Sequence, residues 1–317
     1  EPSRRQRQMC IRDRYITAND KVLEQGVALL NSIRQYDSDT PIILIPYDDN
    51  YQTVAERFSR DYGVKIYQDL EFIERLSNKL QKIFGNKFFA RPNQFRKQVC
   101  WFGEFDEFLY IDTDIVVFDR IIDNLNYLNE YDFLCFDYQH LGGIKNIFTP
   151  EIYQVFSKEE LLETFNGGWW ASKKKLISEQ DLYETFTECA AHPEYFDFSQ
   201  KTSDQPIINY MILKRIKKRF NIVNRPEKAP GSWAGTSHFY REGDRLIDSN
   251  VNQPLEYLHW AGIRIQPGCP YWDIWGDYRY VGESKPTYYP QKTERKKSLG
   301  RRFIDKVKKI ARQIKKS

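Results

Sequence analysis

No Gly-x-Gly-x-x-Gly turn follows the first strand of this chain, and no Walker sequence occurs in it. A dinucleotide-dependent oxidoreductase and a P-loop enzyme are therefore disfavoured. The five cysteines, Cys10, Cys100, Cys135, Cys189 and Cys269, are scattered, odd in number and without paired spacing. They suit free thiols in a reducing compartment, neither a disulfide framework nor a zinc site. No apolar run approaches the length of a membrane span, and no secretory apolar segment is visible. There is no internal repeat, and no low-complexity segment precedes the basic C-terminal stretch. The expectation is a soluble, cytoplasmic protein.

What is present is a chain of 317 residues, 41% apolar, long enough to bury one large core or two intertwined halves. Aromatics make up 15%, with Trp and Tyr crowded after position 225. They suit an aromatic core or a surface that stacks on sugars. Charge is divided unevenly. Of 48 Lys and Arg and 44 Asp and Glu, residues 292–317 hold twelve and two, leaving an acidic body of 36 against 42. In that tail Leu299, Phe303, Val307, Ile310 and Ile314 recur at helical spacing, with Ile304 and Ala311 broadening the stripe. A basic amphipathic helix over 291–317 is expected, lying on an anionic membrane surface. Docking on its own domain and, least, a nucleic-acid contact are the alternatives. At the other end, Glu1 to Arg14 has no periodicity and resembles a translated sequencing-adapter segment. Residues 1–14 are expected to be non-native or disordered, and are set aside.

From Tyr15 strands and helices alternate. Tyr15–Ala18, Pro41–Tyr47 and Val64–Tyr67 read as strands, with helices over Val22–Gln35 and Tyr51–Tyr62. Two helical segments, Glu71–Phe84 and Pro92–Phe102, precede the next strand. The order predicts an α/β domain over 15–290 with a doubly wound, mainly parallel sheet. The second half is less regular. Tyr131–Tyr138 and Phe165–Ser172 read as strands, Glu179–Ala191 and Asp204–Lys218 as helices, and 224–290 as loops and short strands around a cleft.

That next strand, Phe108–Phe118, carries Asp112 and Asp114 between two apolar runs. Alternation points both carboxylates the same way, at a buried strand end where parallel sheets place ligands. Asp-x-Asp triplets are common, and Asp37-Ser38-Asp39 is a second, in a polar turn. The apolar flanks separate the two. Buried carboxylates without a cation or donors cost several kcal/mol, so the first pair reads as a site for Mn²⁺ or Mg²⁺ with a nucleotide diphosphate.

Five further segments follow the same logic. Asn19 and Asp20 stand after the first strand, where base or ribose contacts occur in such sheets, although both are also ordinary helix caps. Arg96 and Lys97 sit on the helix feeding the metal-bearing strand, and either could reach a phosphate. Asn166-Gly167-Gly168 lets backbone approach a ligand closely, or marks a bulge. Asp204-Gln205, behind Ser203 as a cap, opens a helix. Finally His259-Trp260-Ala261-Gly262 follows the apolar strand Leu255–Leu258. A His joined to two carboxylates is a sensible set for Mn²⁺, whereas His140, His192 and His238 lie in polar or loop contexts.

Together these segments resemble glycosyltransferase family 8, from Tyr15 to about Gly262. The resemblance implies a GT-A-like fold and Mn²⁺ held by Asp112, Asp114 and His259, with Gly262 completing a His-x-x-Gly segment. It implies that Thr17, Asn19 and Asp20 border the uridine, that Arg96 faces the donor within one residue of slippage, and that Asp112 also bridges to the ribose. The family's Asn-x-Gly strand falls on Asn166 and Gly168, which would help bind the donor, and its Asp-Gln pair, which flanks the transferred sugar, falls on Asp204 and Gln205, at the reacting face. The family's His-x-x-Gly-x-x-Lys-Pro is not kept, since position 265 is Ile and the nearest cation is Arg264. An arginine can grip phosphate bidentately. The segments Gln139–Phe165 and Tyr271–Tyr289 have no counterpart there.

The expected protein is a metal-dependent enzyme that moves a hexose from a UDP-sugar to a hydroxyl of a glycan or glycolipid, retaining anomeric configuration. It would sit at the inner membrane surface through its tail and bind no nucleic acid. An inverting GT-A enzyme and a catalytically silent nucleotide-sugar binder are the alternatives.

Overall fold

A computed structural model describes residues 12–85, 92–199, 204–243 and 245–286. The chain divides into two units after Ser284, and the sheets, their helices and the cleft all belong to the first. The basic stretch 292–317, most of the segment 1–14 and the Ser203 cap lie outside the described residues.

The strands β1 (Arg12–Ala18), β2 (Ile42–Pro46), β3 (Lys65–Ile66), β4 (Glu107–Ile111), β6 (Phe133–Cys135), β7 (Trp169–Lys173) and β8 (Arg219–Asn221) form a seven-stranded sheet. Its order is β3-β2-β1-β4-β7-β6-β8. Only β7 runs against the others. The mixed α/β, mainly parallel sheet expected of a GT-A-like fold is thus present. Order reverses beside β1, the place where such sheets open a crevice at their carboxyl ends.

Helices cover both faces because their apolar residues repeat every three or four positions. On one face α1 (Leu23–Tyr36) buries Val27, Leu30 and Ile33, and α2 (Gln52–Tyr62) buries Val54, Ala55 and Phe58. On the other, α3 (Leu70–Phe84) buries Ile73, Leu76, Leu80 and Phe84 after Asp69 accepts from the Phe72 amide at 2.8 Å. The short α4 (Lys158–Leu161), α5 (Glu179–Ala191) and α6 (Asp204–Arg215) add Leu161, Leu182, Phe186, Ile208 and Met211 to that core. Residues 92–102 form a 3-10 helix.

One expectation is corrected. The apolar run through Asp112 and Asp114 is not a single strand. β4 stops at Ile111, residues 112–114 turn, and β5 (Ile115–Val117) leaves the sheet to pair antiparallel with β12 (Tyr257–His259). The β4–β7 ladder makes one more in-register bond and the chain then turns away. The Asp112 amide donates to the Gly168 carbonyl at 2.8 Å, and the Trp260 amide donates to the Asp114 carbonyl at 3.0 Å. The region after 224 holds loops and short strands, as expected, and one helix besides. A small sheet of β9 (Phe239–Glu242), β10 (Arg245–Asp248) and β11 (Gln253–Pro254) packs with β12 and α7 (Trp272–Arg279) around Trp260 and Trp275.

β1 begins at Arg12, three residues before the expected strand, because Glu107, Phe108 and Leu109 of β4 pair with Arg12, Asp13 and Arg14. Asp13 and Arg14 are completely buried there. Arg14 pairs with Asp37, which also receives the Thr40 amide, but Asp13 Oδ2 has no hydrogen-bond partner among the described residues. Burial pushes the Asp13 carboxyl up to about 8, against the opposing pull of the Arg14 amide at 2.6 Å. The folded-state value lies above the ordinary 3.8. The unfolded chain therefore loses this proton first, and the contribution of neutral Asp13 is full below about pH 4 and lost on the way to about pH 8. Asp13→Val is expected to gain stability over the native chain by an amount that grows across that window, on the order of 5 kcal/mol at its upper end. Urea denaturation of both proteins from pH 4 to 8 measures it, and a pH-independent difference refutes the assignment.

Candidate metal centre and cleft

The turn between β4 and β5 sets Asp112 and Asp114 on either side of Thr113, and β12 delivers His259 directly opposite Ile115. His259 Nε2 lies 3.2 Å from Asp114 Oδ1. One ligand atom from each of Asp112, Asp114 and His259 falls within 4.8 Å of the others. Gly168 makes room for the imidazole. A Cβ there would stand 2.3 Å from His259 Cε1, so any side chain displaces the ring.

Charge in this cluster is unbalanced. Lys97 Nζ sits 2.9 Å from Asp204 Oδ2 and 3.9 Å from Asp112 Oδ1, and 4.9 Å from the centre of the Tyr110 ring. Burial alone would lower the Lys97 ammonium, but Asp112 and Asp204 hold it well above its usual range. Asp204 is held below the ordinary carboxylate value by Lys97, against its own burial. Asp114 is held low in the same way by His259, whose imidazole rises in turn despite burial. Asp112 alone is raised, because burial and the neighbouring Asp114 outweigh Lys97. Its Oδ1 accepts the Tyr110 phenol at 2.6 Å, and that ring stacks on Trp170, which stacks on Trp101. Two hard carboxylates and an imidazole with one negative charge in excess fit Mn²⁺ or Mg²⁺.

The other segments singled out in the sequence reach the same place from different elements. Asn166 Nδ2 donates to Gln205 Oε1 at 3.2 Å, and Asn166 Oδ1 accepts from the Gly168 amide at 2.9 Å. Asp204 and Gln205 open α6, with Asp204 on Lys97. Gly262 has φ +71°, which lets the chain turn sharply behind His259.

Two groups are less direct. Thr17, Asn19 and Asp20 end β1, where Asn19 caps the short 3-10 turn Asp20–Val22 and bonds Asp48 at 2.7 Å, and Asp20 accepts from the Val54 amide at 3.0 Å. Arg96 lies beside them on the Pro46 carbonyl at 3.1 Å and Asp49 at 3.2 Å. Arg96 and Lys97, adjacent on the helix, point to different groups, and Lys97 is the one that meets Asp112 and Asp204. Arg264 is exposed and without an ion pair among the described residues, while Ile265 packs against the Trp260 and Trp275 cluster.

Asp137 is a member of the site that the sequence reading omits. It follows the apolar run Phe133–Phe136 just as Asp112 follows Phe108–Ile111, and that signal would have found it. Burial pushes its carboxyl up to about 7, although its oxygens accept the Gln139 amide at 2.6 Å and the Asn166 amide at 3.0 Å. Tyr110 is omitted too, its hydroxyl being indistinguishable in sequence from an apolar position.

No family model and no curated protein sequence matches this chain. Solved structures do. It superposes on the galactosyltransferase LgtC in complex with donor and acceptor sugar analogues with a TM-score of 0.60 at 13% identity, over 88% of this chain and 98% of that one. An active-site mutant of LgtC gives 0.57 at 11%, over 84% and 94%. The bifunctional glycosyltransferase WbbM gives 0.55 at 15%, over 85% of this chain and half of that longer one. The fold is the GT-A-like fold of these glycosyltransferases.

Gly168→Ala tests the imidazole's seat. It is expected to weaken Mn²⁺ binding roughly 10–100-fold, as loss of ligand orientation does, with far-ultraviolet circular dichroism unchanged. Calorimetric titration with Mn²⁺ decides, and unchanged affinity excludes His259 as a ligand.

Proposed function

We propose that this protein is a metal-dependent glycosyltransferase that moves a hexose from a UDP-sugar to a hydroxyl of a glycan or glycolipid, with retention of configuration. The observation that carries this is the convergence of Asp112, Asp114 and His259 within 4.8 Å at the carboxyl end of β4, in a GT-A-like fold. Asp112, Asp114 and His259 would hold Mn²⁺ or Mg²⁺, which supplies Lewis acidity toward the charge on a departing diphosphate. Thr17, Asn19, Asp20 and Arg96 would border the uridine at the ends of β1 and β2, and Arg264 would take the diphosphate in place of the absent lysine. Lys97 keeps Asp204 ionised and in place, and Asn166 orients the Gln205 amide. These groups would face the sugar, with Gln205 and Asp204 beside its reacting carbon.

Retention is favoured over inversion by the state of the carboxylates. An inverting enzyme needs a free base near the acceptor. Asp137 has both oxygens on backbone amides and Asp204 is committed to Lys97. Asp137 therefore acts as the brace that positions Asn166.

UDP release from a panel of UDP-sugars with Mn²⁺ is expected for one donor, and is expected to fall at least about 100-fold in Asp114→Ala. Product anomer analysis then separates retention from inversion. Metal-dependent UDP binding without turnover on any acceptor would instead favour a silent binder, and absence of UDP binding would refute the function.

The tail is proposed to bring the enzyme to anionic, cytoplasm-facing membrane carrying lipid-linked acceptors. The full chain is expected to sediment with phosphatidylglycerol vesicles and not with phosphatidylcholine vesicles. With each basic side chain near the surface worth roughly 1 kcal/mol, a chain ending at Gln291 should lose that binding. Retained binding places the membrane contact elsewhere.

A further inference from the structure

Trp233 is the most exposed tryptophan among the described residues, at 55%, yet its ring is held fixed. The indole Nε1 donates to the Ala261 carbonyl at 3.1 Å. The benzo half of the ring lies over Gly235, where a Cβ would stand 2.2 Å from Cζ2. The backbone on either side is tied to the metal-binding strand, with the His259 amide on the Ser232 carbonyl at 2.7 Å and the Ala234 amide on the His259 carbonyl at 2.9 Å.

The loop is also clasped from below. Buried Asp248 accepts the Gly231 amide at 2.7 Å and meets His238 Nε2 at 3.0 Å, His238 contacts Thr236, and the Tyr271 phenol donates to the Thr236 carbonyl at 2.8 Å. A large apolar face left in water and held this firmly has paid its ordering entropy before any ligand arrives.

Its position says which ligand. His259 sits against Gly168 at the start of β7, and the Trp233 loop continues from Ala229, which accepts the Tyr138 phenol beyond β6. β7 and β6 lie on the far side of β4 from β1 and β2. Trp233 is thus carried by the strand that delivers His259, whereas Thr17, Asn19 and Asp20 stand at the end of β1 and Arg96 bonds the end of β2. A flat, uncharged indole there suits the C–H face of a pyranose, which gains dispersion and apolar burial against it.

We propose that Trp233 is the platform on which the terminal pyranose of the acceptor stacks. This rests on the transferase reading above, and the test separates the two. Mn²⁺ and UDP are titrated calorimetrically into the wild-type chain, which examines the donor side alone. Methyl glycosides of glucose, galactose and N-acetylglucosamine are then followed by saturation-transfer NMR, with and without Mn²⁺ and UDP. At least one glycoside is expected to bind the wild type with its ring protons saturated. Affinity should fall roughly tenfold in Trp233→Ala, fall similarly in Gly235→Ala, where the indole is present but displaced, and be largely kept in Trp233→Phe. Once an acceptor substrate is found, the same loss should appear in the acceptor KM and not in the donor KM.

Glycoside affinity equal in wild type and Trp233→Ala overturns the platform. So does a wild type that binds Mn²⁺ and UDP but none of the glycosides. Trp233-dependent glycoside binding without UDP binding upholds the platform and removes the donor reading.

Discussion

The site depends on keeping three carboxylates, Asp112, Asp114 and Asp204, close together and largely out of water. Like charges in such a place repel and desolvate at a cost of several kcal/mol unless cations are interleaved. Lys97 serves Asp204 and, at longer range, Asp112; His259 serves Asp114. The chain supplies two cations for three anions, and the second cation is one that exists only when an imidazole is protonated. The structure that surrounds them follows from this shortage. β4 must break at Ile111 so that both aspartates turn toward one point, β12 must return to bring the histidine, and position 168 must lack a side chain.

Rigidity is provided by aromatic packing beneath the carboxylates. Trp101, Trp170 and Tyr110 stack in succession, with Phe108 edge-on to Trp101 and Trp170. The phenol at the top of that stack is the donor to Asp112. The crowding of Trp and Tyr in this chain therefore has more than one purpose. Some of it builds a hard floor under the charged cluster, some fills the small C-terminal core around Trp260 and Trp275, and one ring, Trp233, stands in water beside the His259 strand.

Much of this is legible in the sequence. The alternation of strands and helices, the pair Asp112 and Asp114 and His259 beside apolar runs, Asn166 and Gly168 in a glycine-rich strand start, and the Asp204-Gln205 pair at a helix start are local signals. What is not legible depends on partners distant in sequence. The break after Ile111 comes with the pairing of β5 to β12, a strand distant in sequence, and nothing in the pattern of 108–118 reveals it. Whether Arg96 or Lys97 faces the site carboxylates depends on where Asp112 and Asp204 lie, partners distant in sequence that the local pattern does not place. Trp233 reads in sequence as one more aromatic in a Pro- and Gly-rich stretch, and only its neighbours Ala261 and Gly235 give it an orientation.

The pairing of β5 with β12 has a mechanical consequence. Asp114 and His259 border the same two-stranded ribbon, whereas Asp112 ends a strand of the main sheet. A cation held by all three is a crosslink between two sheets that otherwise meet through one short turn and side-chain packing. Occupancy would then be felt well away from the chemistry, as slower amide exchange along the ribbon and as a chain that resists unfolding from its C-terminal half.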